Sequence, residues 1–110
     1  MTVRRRDKPT NPADIPVMTK IGRVVKQHRK DLTDIKPSTR QSFILAAIDL
    51  GLPDNWITEK SLSNIENGLN MPSLRTLYNL SIALQIDATD LFIEISQAFL
   101  DTVPQSSSKG

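Results

Sequence analysis

Catalytic chemistry needs reactive groups at workable spacings, and this chain supplies few of them. It has no cysteine and a single histidine, His28, so thiolate nucleophiles, Cys/His pairs and cysteine metal sites are excluded. No second ligand type accompanies His28 at metal-binding spacing, and it is expected to be a half-buried packing residue rather than a ligand or a base. The carboxylates are scattered or stand where they cap helices, and there is no glycine-rich phosphate loop. No catalytic residue, metal site or cofactor is therefore expected, and the chain does not read as an enzyme. What it does concentrate is hydrogen-bonding groups. Glu59, Lys60, Ser63 and Asn64 fall on one side of a short segment, with Thr58, Ser61, Asn67 and Asn70 around its ends. Such groups recognise partners rather than react with them. On their own they describe a short polar helix face with its caps.

The elements that must position these groups have their boundaries written in. Thr58 is a candidate N-cap, and Ile57 and Leu62 occupy the two positions of a hydrophobic staple, so the spacing predicts a helix from Glu59. Leu62, Ile65 and Leu69 recur at three and four residues and should pack, leaving Glu59, Lys60, Ser63 and Asn64 outward. Gly68 supplies the left-handed stop, Pro72 bars continuation, and Ser73 offers the next cap. Leu74, Leu77, Leu80, Ala83 and Leu84 predict a buried helix over 74–84. Asp87 and Asp90 resemble a capping box before a last helix carrying Leu91, Phe92, Ile95 and Phe99.

Over residues 57–92 the pattern T-x-x-S-L-S-x-I-E-x-G, then P-S-L-x-T-L-x-x-L-x-x-A-L-x-I and D-L-F, resembles without gaps the phage repressor and Cro type of helix-turn-helix, also called the xenobiotic-response-element family. The resemblance implies an all-α, lambda-repressor-like domain of five helices in which the helix after Thr58 enters the major groove of double-stranded DNA. Glu59, Lys60, Ser63 and Asn64 would then face base edges. Lys60 can donate to guanine, Asn64 can pair with adenine, and Glu59 can accept from cytosine while repelling phosphate. Thr58, Ser61, Asn67 and Asn70 fall where the family holds phosphate, with Arg40 and Gln41 as further candidates at the start of the second helix. Arg29 and Glu66 fall where the family has an ion pair.

Upstream, Thr19 is a candidate cap for a first helix with Ile21, Val24, Val25, His28 and Leu32 on one stripe and Lys20, Arg23, Lys26, Gln27 and Lys30 on the other. Pro37 with Ser38 or Thr39 predicts a second helix from about Arg40 to Leu50. Phe43, Ile44, Ala47 and Ile48 should face inward, with Gly51 after its end. Between Ile21 and Glu66 the chain is longer than the family pattern, the surplus falling before the second helix and in the LPDNWI segment after it. Trp56, in that connector, is expected to pack in the core.

The 110 residues, 38% hydrophobic with few aromatics, suffice for one domain with an aliphatic core. Residues 1–18 are expected to be a flexible basic arm in which Arg4, Arg5 and Arg6 could touch DNA, residues 19–101 the domain with a C-terminal dimerisation helix, and residues 102–110 a disordered tail. Nine of the basic residues lie at or before Lys30 and acids predominate after it, which suits a phosphate-rich partner as well as a solvated tail. No apolar run approaches the roughly 20 residues that span a bilayer, and the N-terminus lacks a signal-peptide centre. A soluble cytoplasmic protein with no membrane partner is expected. The last helix carries apolar groups on more than one side, and Ile93, Ile95, Phe99 and Leu100 are the expected homodimer interface of a repressor. The alternative is an antitoxin-like interaction module that uses the same helix to hold a protein partner.

Overall fold

The computed structural model describes residues 14–102, and all its regular elements are helices: α1 (Ile15–Lys30), α2 (Arg40–Asp49), α3 (Glu59–Glu66), α4 (Leu74–Leu84) and α5 (Ala88–Thr102). Three start at hydroxyl caps in extended conformation: Thr39 accepts from the Ser42 amide, Thr58 from that of Ser61 and Ser73 from that of Thr76. At α5 the Asp87 carboxylate accepts from the Thr89 amide at 2.7 Å. Each bond satisfies one of the first-turn amides that a helix cannot pair internally. Gly51 and Gly68 close α2 and α3 with φ of +111° and +74°. At the end of α4 the same left-handed turn is made by Gln85.

The core is aliphatic. Ile21 and Val25 of α1, Phe43 and Ala47 of α2, Leu62 and Ile65 of α3, Leu77, Leu80 and Leu84 of α4, and Leu91 and Ile95 of α5 meet in one cluster. Helix α1 packs on both α3 and α5, and α2 packs on α3 and α4. Trp56 is buried at the edge of this cluster, edge-on to Phe43 with ring centroids 6.0 Å apart, and its indole donates to the Ile44 carbonyl at 3.2 Å. A buried indole N–H finds an acceptor there, so the connector's one aromatic ties it to α2.

Four expectations change. Helix α1 begins at Ile15, not after Thr19: Pro16 sits in the first turn, where its missing N–H costs nothing, and buried Val17 and Met18 draw the segment inward. Thr19 is inside the helix, its hydroxyl donating to the Ile15 carbonyl at 3.0 Å. The expected arm therefore loses its last residues to α1 and the expected tail its first, Thr102, to α5; residues 1–13, with Arg4, Arg5 and Arg6, and residues 103–110 lie outside the described residues. Leu69 is 61% exposed because the left-handed turn at Gly68 breaks the helical register before it. Leu74 is 76% exposed at the first position of α4, where with Arg75, Tyr78 and Phe92 it lines a recess open to solvent. Ile95 is buried: with Leu91 and Ala98 it forms the inward stripe of α5, so it belongs to this domain's own core rather than to an interface.

Candidate nucleic-acid interface

Helix α3 is held by its apolar face and presents the other. Leu62 and Ile65 are buried, while Glu59, Lys60 and Ser61 are exposed and Ser63 and Asn64 are partly so. Among the described residues the side chains of Glu59, Lys60 and Asn64 have no hydrogen-bonding partner, whereas Ser63 accepts from the Asn67 amide side chain at 3.2 Å. Asn64 and Ser63 also help to end the helix, their carbonyls accepting from the amides of Leu69 and Asn67. Lys60 and Asn64, one turn apart on the outer surface, therefore have their hydrogen-bonding capacity available to a partner.

The residues expected to hold phosphate divide between the two ends of this face. Thr58 and Ser61 are exposed at its N-terminal end and joined to each other, the Thr58 hydroxyl donating to that of Ser61 at 3.0 Å. Asn67 and Asn70 are exposed at the other end, and Gln41 is exposed in the first turn of α2. Arg40 is placed differently. Its Nε donates to Glu66 Oε1 at 2.9 Å, and its side chain is only 26% exposed.

Glu66 is the structural centre beneath this surface. Its side chain is fully buried and receives Arg29 through two parallel bonds, Nε to Oε2 at 2.6 Å and Nη2 to Oε1 at 2.9 Å. The structure thus brings together Arg29 from α1, Arg40 from α2 and Glu66 from the last turn of α3. Parallel guanidinium–carboxylate bonds fix direction as well as distance. Gly22 lets α1 approach: a Cβ there would lie 2.5 Å from the Glu66 carbonyl oxygen and 2.6 Å from that of Ile65.

Two features had no sequence signal that could have found them. His28 carries a polar partner, its Nε2 lying 2.5 Å from Glu94 Oε1 on α5, 66 positions away. Leu74 and Tyr78 of α4 form, with Arg75 and Phe92, a shallow recess open to solvent. Outward-facing Ile93 and Leu100 are 60% and 63% exposed and Phe99 43%. No described helix is long and apolar enough to cross a membrane.

Residues 56–91 match a helix-turn-helix family model, a match that takes in α3, α4 and the start of α5. It begins at Trp56, so α2 and most of the connector before α3 lie outside it. The searches of curated proteins and of solved structures gave no match.

Proposed function

We propose that this chain, which carries a phage repressor and Cro-type helix-turn-helix over residues 56–91, is a sequence-specific regulator that represses transcription by occupying an operator of dyad symmetry as a homodimer. The observation that supports the reading is the outer face of α3: Lys60 and Asn64 stand one turn apart with no protein partner among the described residues, on a helix whose other face is fully packed. A lysine donates to the O6 or N7 of guanine and an asparagine pairs with N6 and N7 of adenine. Thr58, Ser61, Asn67, Asn70 and Gln41 flank that face and would hold the phosphates that set its register. Glu59 would accept from cytosine and reject sites that bring a phosphate to it.

The test is base-specific. Asn64→Ala and Lys60→Ala should each weaken binding by about 1–3 kcal/mol and relax preference at one base position, measured by titrating duplexes with single substitutions. Equal weakening on every duplex would show that neither side chain reads a base.

Dimerisation is carried by the outward side of α5. With Ile95 in the core, the contact set is Ile93, Phe99 and Leu100, and two copies related by a two-fold axis would bury it against itself. Ile93→Glu with Leu100→Glu should give a monomer in sedimentation equilibrium and weaken operator binding without lowering helix content. A wild-type chain that stays monomeric at micromolar concentration, alone and on DNA, contradicts the dimer. The exposed apolar groups Leu74, Tyr78, Ile93 and Leu100 also favour a second reading, an antitoxin-like module whose partner is another protein. In that case the α5 variants abolish function and the Lys60 and Asn64 variants are silent.

A further inference from the structure

We infer that Arg40 is a positioning residue that sets the angle of α3 for base recognition, a role that rests on the regulator reading. The connector from α2 to α3 runs from Leu50 to Thr58, and a loop of that length constrains the angle between two helices far less than a tight turn does. Two polar contacts compensate. Near the start of α3, the Trp56 indole holds the connector to the Ile44 carbonyl of α2. At the end of α3, Arg40, the first residue of α2, donates to Glu66, the last residue of α3. The first turn of α2 is thereby clamped to the last turn of α3.

Charge balance separates this role from mere neutralisation. Arg29 already meets the buried Glu66 carboxylate with two parallel bonds and is itself buried. The second guanidinium is not needed to offset the buried charge. What Arg40 adds is a directional Nε–H bond at 2.9 Å to an oxygen whose orientation Arg29 has already fixed. The outer face of α3, with Lys60 and Asn64, then keeps one tilt relative to α2. An error of about 1 Å in such a constellation is enough to degrade recognition.

Arg40→Met, of similar length and without the donor, tests the role. Discrimination between the best duplex and duplexes altered at the bases read by Lys60 and Asn64 should fall at least tenfold. The slope of log affinity against log salt should remain that of the wild type. In a Glu66→Gln background the same substitution should have little further effect on discrimination, because the bond it removes is already weakened. A slope reduced by about 1 with discrimination kept would identify Arg40 as a phosphate contact and overturn the positioning role, as would no change in either quantity. Amide hydrogen exchange without DNA supplies an independent reading: Arg40→Met should speed exchange in α3 relative to α4, and unchanged exchange counts against the clamp. If the wild type shows no discrimination at all, the regulator reading fails and recognition by Arg40 fails with it, whereas faster α3 exchange in that case still upholds the clamp itself.

Discussion

Glu66→Ala should destabilise the domain by about 3–5 kcal/mol, the usual cost of leaving one partner of a buried ion pair uncompensated. Arg29 is nearly inaccessible, and once the carboxylate is gone its remaining contact is the Ser38 carbonyl at 3.5 Å, at the limit of hydrogen-bonding distance. Arg29 would then stay a buried charge without its carboxylate. The reverse substitution, Arg29→Ala, should cost less, because Glu66 keeps Arg40 at 2.9 Å. The asymmetry is specific to a carboxylate shared between two guanidiniums, and urea unfolding followed by far-UV circular dichroism measures both variants. A loss below about 1 kcal/mol for Glu66→Ala would place the pair among solvent-screened surface bridges and remove its structural role.

Gly22→Ala should be as damaging, although glycine-to-alanine in the middle of a helix ordinarily stabilises by about 1 kcal/mol. The sign reverses because the added Cβ meets backbone: the Glu66 and Ile65 carbonyl oxygens at 2.5 and 2.6 Å and the Glu66 carbonyl carbon at 2.9 Å. None of these is the end of a flexible side chain, so α1 and α3 must separate, and the Arg29–Glu66 bonds between the same two helices stretch with them. The expected loss is at or above the roughly 3 kcal/mol at the top of the usual range for overpacking. Gly51→Ala is the matched comparison. Nothing lies within 4 Å of its Cβ position, so it should lose only the left-handed strain of its φ of +111°, about 1–2 kcal/mol. If the two variants melt alike, close approach of α1 to α3 is not what Gly22 provides.

The ends of the helices were legible because caps and stops are local chemistry. Thr58, Ser73, Gly51 and Gly68 act within a few residues of themselves, and their types declare the turn they make. The neighbours of Arg29 were legible only through the resemblance, since nothing in the spacing of positions 29 and 66 requires contact. Arg40 at Glu66 was not legible, because it depends on the angle between two helices joined by a long connector. Ile95 shows the limit of periodicity: α5 carries apolar groups on two sides, and the pattern does not say which side the core will claim. Pro16 falls within the expected flexible arm, but proline in the first turn of a helix lacks only a hydrogen bond that would not have formed. Counting on through Gly68 places Leu69 on the inner face, but that glycine ends the helical count.

The most direct test of the regulator proposal is selection of duplexes from a random-sequence pool by purified protein at physiological salt, followed by titration of the best duplex against its scramble. The account predicts enrichment of a two-fold symmetric site bound at least about 10³-fold more tightly than the scramble, with that preference lost in the Lys60→Ala, Asn64→Ala double variant. Binding as tight to the scramble as to the selected duplex, or a preference that survives the double variant, would contradict it.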